Sequence, residues 1–322
     1  MKFMEAKLTL KSPAIVTQKR VERGFVRPAD CVPGSTLRGA ILTALFRGGK
    51  LSQADLRREA EEPSLLALPA YPVRDGAKSV PATPFMSFCR KCGSTVDVTR
   101  ESVDALRRGE EPEPRLLHEC GEPLKPLYGS LIAKVSDGLQ ELKVRSFRAT
   151  SVAIDKDRGS AIRGMLFDYE AIAEGTEFWA WVLAPNWLQA GRMELAVGRG
   201  QSRGFGWAEL KLEPAPQPPQ LNQGAFVSLS PLVPLKRLEW GGSTLLLTKI
   251  LGRTMRLQAG WDYVHGLRPI VKFARRGSIA LARASGEATL LRVGLPVKAG
   301  PSWLTGVNAL LPIDEYYRVL GG

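Results

Sequence analysis

Four prolines in the seven residues 214–220 (PAPQPPQ) divide this chain more sharply than any other feature. Proline lacks a backbone N–H and fixes φ near −65°, so such a run admits neither a helix interior nor a central strand and stays extended. The 322 residues must therefore be organised as a unit over 1–213, a linker over 214–224 and a second unit over 225–322. With 44% hydrophobic residues, both parts have enough apolar surface for a core.

Within the first part, residues 32–40 (VPGSTLRGA) read as a tight turn followed by a helix. Pro33-Gly34 is a turn signal, Ser35 or Thr36 is placed to cap, and Leu37, Ile41, Leu42 and Leu45 supply an apolar face. Gly39 beside Arg38 sits where glycine costs about 1 kcal/mol relative to alanine. Close approach of another group to the backbone would account for it. A helix N-terminus with a hydroxyl and an arginine is a phosphate site in waiting. The plain alternative is a capped helix with a surface arginine.

A second stretch, residues 198–207 (GRGQSRGFGW), packs four glycines and two arginines into ten residues before an alternating run that predicts a strand. Gly198, Gly200 and Gly204 let the backbone come close to a polyanion. Arg199, Ser202 and Arg203 offer donors, and Phe205 and Trp207 offer faces for bases. No lysine-serine or lysine-threonine pair closes the run, and the glycine spacing does not fit a dinucleotide fold. Charge points the same way: 45 Lys and Arg against 32 Asp and Glu, a formal +13, favours a polyanionic partner. In the second part, Arg275-Arg276-Gly277-Ser278 lies between two strand-like runs, suiting either a phosphate contact or an ordinary hairpin turn. Residues 17–27 are basic and polar, and read equally as an RNA-contacting loop or a solvated face.

Three of the four cysteines fall in an insertion at about 86–128. Cys89 and Cys92 form a two-spaced pair followed by glycine, and His118 and Cys120 follow some 25 residues later, again before glycine. Three thiolates and an imidazole suit tetrahedral Zn2+ in a structural role, since all four positions are protein ligands. The charged residues between the pairs make no core of their own, so a metal would supply the missing stability. A usual knuckle would have Cys at 117, where this chain has Leu117, so His118 has to serve at tighter spacing. The alternative is reduced surface thiols. Cys31, against the Pro33-Gly34 turn, reads as a small packed residue. The N-terminal residues lack the apolar core of a signal peptide and no run reaches membrane-spanning length, predicting a cytoplasmic protein without a membrane partner.

The two glycine stretches, in this order, with residues 148–161 (RATSVAIDKDRGSA), 165–170 and 175–178 between them, resemble the RAMP superfamily of CRISPR RNA-binding subunits, and its type III members in particular. The resemblance implies an α+β chain of two ferredoxin-like (RRM-like) domains with antiparallel sheets, the first carrying the zinc-binding insertion that some type III members also carry. It implies a non-catalytic subunit that holds the 5′ handle of the crRNA within a ribonucleoprotein effector, with a large subunit and backbone subunits as partners. Gly34, Ser35, Arg38, Gly198, Arg199, Gly200, Ser202, Arg203, Gly204, Phe205, Arg275 and Arg276 would then be the RNA contacts, and Cys89, Cys92, His118 and Cys120 the metal ligands. Two other readings stand beside it: a repeated backbone subunit that cuts target RNA through Asp30, and a protein-only scaffold whose insertion docks a large subunit. Asp30 stands closer to the turn than the aspartate of the cleaving subunits, which favours a non-enzyme. The other polar candidates are weaker. Asp155 and Asp157, beside Lys156 and Arg158, read as ordering their loop, and His265 reads as a turn residue.

Overall fold

The computed structural model describes residues 1–21, 25–135, 138–220, 223–258, 260–262 and 264–321. In chain order, the first part contains β1 (Lys2–Leu10), β2 (Thr17–Val21), β3 (Phe25–Pro28), α1 (Gly34–Arg47), α2 (Gln53–Glu61) and β4 (Tyr71–Arg74). After the insertion come β5 (Ser146–Ile154), β6 (Ala161–Ile172), β7 (Glu177–Ala184), β8 (Gly191–Ala196) and β9 (Trp207–Pro214). The second part contains β10 (Gln223–Ser228), β11 (Arg237–Trp240), β12 (Ser243–Leu251), β13 (Thr254–Gln258), β14 (Ile270–Ala274) and β15 (Ile279–Ser285). It closes with α3 (Ala288–Val293), β16 (Leu310–Pro312) and α4 (Ile313–Val319).

The alternation in β1 sends Met4, Ala6, Leu8 and Leu10 into the core. β7 (EFWAWVLA) is buried along almost its whole length, as a central strand covered on both faces must be. These strands lie at the middle of a sheet ordered β8-β9-β1-β7-β4, with every pairing antiparallel. β1 and β4 therefore run parallel on either side of β7, and α1 is the crossover between them. The link from β7 to β9 is the edge strand β8, where a short helix over 186–195 is the sequence expectation. Arg192, Met193, Glu194 and Leu195 alternate outward and inward, and this period of two prevails once β9 offers a free edge.

The second part repeats the pattern with the exchange reversed. Its sheet is ordered β11-β12-β15-β10-β16, again antiparallel throughout. Here β15 and β16 run parallel on either side of β10, with α3 as their crossover, while the link from β10 to β12 is the edge strand β11. Each sheet thus has one helical crossover and one made of a strand. α1 packs against β8, and α3 packs against β7 of the other sheet, so a helix from the second part covers a face of the first. One cluster of buried side chains runs from Phe3 to Leu320 through both sheets. Tyr71 donates to Leu229 O, Tyr316 to Pro81 O and Trp303 to Glu61 O, tying the two parts together across their contact. Residues 215–220 have no regular structure.

A third sheet, β5-β6-β3-β2, stands apart from these two. β5 and β6 form a long antiparallel hairpin, and β3 meets β6 in parallel at Val26 and Tyr169. The basic stretch 17–27 therefore forms strands β2 and β3 rather than a loop, and residues 22–24 lie outside the described residues. No helix among the described residues is long and apolar enough to cross a membrane.

Candidate nucleic-acid interface and metal cluster

The glycine-rich loop joins β8 to β9 and is held by backbone bonds to the segment that leaves β1 and by one across its own neck. Arg199 N donates to Ile15 O (3.0 Å), Gly206 N to Pro13 O (2.8 Å) and Val197 N to Gly206 O (2.8 Å). Gly198, Gly200, Gly204 and Gly206 all have φ between 76° and 83°, the left-handed region that glycine enters without steric cost. Two of them have no alternative: a Cβ on Gly198 would overlap Ile15 O, and one on Gly206 would overlap Val197 O. Gly204 faces open space. The pinned frame presents Arg199, Ser202 and Arg203 to solvent, with Phe205 half-buried and the Trp207 ring 47% exposed. The segment at Ile15 continues into β2, so the loop sits at the root of the third sheet. At the far end of the β5–β6 hairpin, Asp155 Oδ1 accepts from Asp157 N (2.9 Å) and Arg158 N (3.1 Å), which orders that turn and leaves Lys156 and Arg158 outside.

The turn at Pro33 differs from expectation. Pro33 itself occupies the N-cap of α1, and no side chain caps the helix. The end of α1 is covered instead by the second part: a Cβ on Gly306 would lie 2.8 Å from Gly34 Cα and 2.7 Å from Ser35 N. Arg38 is not at the surface. At 8% exposure, it donates through Nε to Leu65 O (2.8 Å) and through Nη2 to Glu59 O (2.6 Å) and Glu59 Oε2 (2.7 Å). Burial lowers its pKa against the opposing pull of Glu59. Its charge is spent inside the protein, so the expected phosphate contact at this position is replaced by a structural ion pair. What remains open beside α1 is a cleft of about 290 Å³ at Ser35, Thr36, Gly39 and Thr43, into which Gly39 presents no side chain.

Arg276 is corrected in the same way. It is 9% exposed and donates to Gly129 O, to Cys31 Sγ (3.0 Å) and to the Asp30 carboxylate. Asp30, the candidate catalytic aspartate, is thereby held in an ion pair that joins the two parts. The neighbouring Cys31 is buried, a small packed residue, and burial pushes its thiol up to about 12. Arg275 is half-buried, with its guanidinium over the Tyr128 ring at 5.9 Å. His265 is a turn residue: Asp262 Oδ1 accepts from Val264 N, His265 N and His265 Nδ1.

The insertion brings its four predicted ligands together. One ligand atom from each of Cys89, Cys92, His118 and Cys120 lies within 4.8 Å of every other. Cys89 Sγ is 3.6 Å from Cys120 Sγ, Cys92 Sγ is 3.5 Å from His118 Nδ1, and His118 Nδ1 is 3.0 Å from Cys120 Sγ. A tetrahedral ion with metal–sulfur bonds of about 2.3 Å sets sulfur–sulfur edges near 3.8 Å, so the group is already close to a coordination shell. Gly93 (φ 70°) and Gly121 (φ 81°) close both turns. Backbone N–H groups of Cys92 and Lys91 aimed at Cys89 pull its thiol pKa down. His118 Nε2 meets Ser94 Oγ at 3.2 Å, an outer partner that fixes the ring with Nδ1 toward the sulfurs. For the third sheet, the sequence predicts strands over 142–148 and 166–172 with a charged turn at 153–159, and the structure has strands at Ser146–Ile154 and Ala161–Ile172. The joining of this hairpin to β2 and β3 was not legible, and no pattern marked Ser94.

Residues 7–209 match the family model described as the RAMP superfamily. No curated protein matches the chain by sequence. Among solved structures, a chain of the type III-B Cmr-beta complex bound to cognate target RNA and AMPPnP is similar at a TM-score of 0.52 and 12% identity, covering 86% of both chains. A chain of type III-B Cmr-beta bound to cognate target RNA matches at 0.52 and 11% identity, covering 89% of this chain and 87% of that one. At such identities the likeness is one of fold.

Proposed function

The chain belongs to the RAMP superfamily, and from that premise we propose that it is a non-catalytic, RNA-binding subunit of a type III-like CRISPR effector, holding the repeat-derived 5′ handle of the crRNA. The observation that carries this reading is the glycine-rich loop. Its backbone is fixed at both ends, and it carries exposed arginines beside two aromatic rings, the combination that binds single-stranded RNA through phosphates and base faces. The α1 end contributes Ser35 and the open backbone at Gly39 but not Arg38. Asp30, tied to Arg276, fits a structural part better than a nucleolytic one. We read the two sheets as ferredoxin-like domains over 1–213 and 225–322, each with one helix exchanged for a strand. A large subunit and backbone subunits are the expected neighbours.

The Cys89, Cys92, His118 and Cys120 group is read as a structural zinc site. Its donors fill a tetrahedral shell and leave no open position for chemistry. When bound, the ion would hold the two Cys-Gly turns together and so stabilise the insertion.

Sequencing the RNA that co-purifies with the tagged chain from its host, together with counting its copies per guide, tests the assignment. One copy per guide on RNAs sharing a repeat-derived 5′ end is the expected result. Several copies would make it a backbone subunit, and protein partners without RNA would make it a scaffold. Arg199→Ala with Arg203→Ala should weaken RNA binding about tenfold or more and flatten the salt dependence by about 1.4, some 0.7 per lost phosphate contact on a single strand. Unchanged affinity in a folded variant removes the loop from the interface.

A further inference from the structure

Residues 241–286 hold eight lysines and arginines against a single carboxylate, Asp262. This segment alone supplies more than half of the chain's formal charge of +13. Two of the eight are spent internally, Arg268 on Asp262 and Arg276 on Asp30. The rest of the excess centres on the two-stranded ribbon β13–β14, which belongs to neither large sheet.

In that ribbon Arg256 and Lys272 are direct cross-strand partners, and both are exposed. Like charges placed directly opposite destabilise a strand pair, so the register puts repulsion where an opposite charge would usually stand. Arg253, also exposed, leads into the ribbon. Among the described residues, no carboxylate lies within ion-pairing distance of Arg253, Arg256 or Lys272. Two rungs from the Arg256–Lys272 pair, on the same face by the period-two rule, Ile270 is 66% exposed. Beneath it the other face is anchored, with Phe273 fully buried. The ribbon is therefore a fixed surface, cationic with an apolar patch, and its repulsion is relieved only by an anion from outside.

We propose that the β13–β14 ribbon is a second single-stranded RNA contact, in which Arg256 and Lys272 converge on one phosphate, Arg253 takes a neighbouring one and Ile270 lies under a sugar or base. It rests on the RNA-binding reading above but involves none of the residues assigned there. The ligand chemistry, a phosphodiester strand, is shared by the guide and by any RNA paired to it or flanking it.

The test is photo-crosslinking of the assembled complex, purified through the tagged chain, followed by mass-spectrometric mapping of peptide–nucleotide adducts and sequencing of the attached RNA. Adducts are expected on residues 253–274 as well as on the 198–207 loop, and the attached sequence distinguishes guide from target. Arg256→Glu with Lys272→Glu should reduce the ribbon adducts at least tenfold while loop adducts persist, which also shows that the variant folds. The milder Arg256→Gln with Lys272→Gln should give an intermediate loss. Adducts confined to the loop would overturn the proposal and leave the proposed function standing. Lysine-directed crosslinks from Lys272 to an acidic protein segment, without RNA adducts on the ribbon, would overturn it in favour of a protein contact. Adducts at neither place would overturn both readings.

Discussion

Of the arginines expected from the sequence to contact RNA, Arg38 and Arg276 are internal, while Arg199 and Arg203 face outward. What separates them is a partner remote in sequence: Glu59 lies 21 residues from Arg38, and Asp30 lies 246 residues from Arg276. No local pattern announces such a pairing, so the helix of α1 was legible and the direction of its arginine was not. The consequence is measurable. Removing one member of a buried ion pair leaves its partner uncompensated and costs about 3–5 kcal/mol. Arg38→Ala should therefore lower the unfolding free energy obtained from urea titration by an amount in that range, because Glu59 keeps only Ser64 and Leu65 as donors. Arg199→Ala should stay within about 0.5 kcal/mol of the parent, as exposed substitutions do. If Arg38→Ala instead weakens RNA binding at unchanged stability, its inward geometry is not what governs it.

At the scale of the element, the metal cluster was the most legible feature of the chain, because ligand chemistry limits which residues serve and at what spacing. The strand β8 was misread for the opposite reason: four alternating residues decide between helix and strand only when a neighbouring edge is known. The two elements also differ in how they fail. On the zinc reading proposed above, Cys92→Ser should abolish stoichiometric zinc in the purified protein. It should also open residues 86–128 to protease while the sheets keep their protection from hydrogen exchange. Global unfolding in this variant would mean that the insertion props up the core. Gly206→Ala places a Cβ on Val197 O at a φ of 81° and should dislodge the glycine-rich loop. Its RNA affinity should fall at least as far as that of the Arg199 and Arg203 double variant, although no charge is lost.

For the molecule as a whole, the proline run predicted two units, and the chain builds two large sheets in which four strands, β9-β1-β7-β4 and β16-β10-β15-β12, follow one order. Their shared core was out of reach of the sequence, since no periodicity in α3 says that it packs on β7 rather than on its own sheet alone. A common core couples the halves, so thermal unfolding should show one cooperative transition by fluorescence and by circular dichroism. Proteolysis within 215–220 should give two fragments that still elute together. Two separated transitions, or fragments that part without denaturant, would show that the contact between the sheets contributes little.

The bare backbones of Gly34 and Gly306 meet where α1 begins, one from each part, at a separation that leaves no room for a methyl group on either. That meeting limits what recombination can do with this chain. A hybrid that joins its first 213 residues to the second half of a relative would need a glycine at the matching point, in the same left-handed turn, before anything else about the graft mattered. The two halves repeat one another in strand order, yet they are not interchangeable parts. Each has its counterpart moulded into it, so a bulkier residue on one side of this contact would need a matching change on the other.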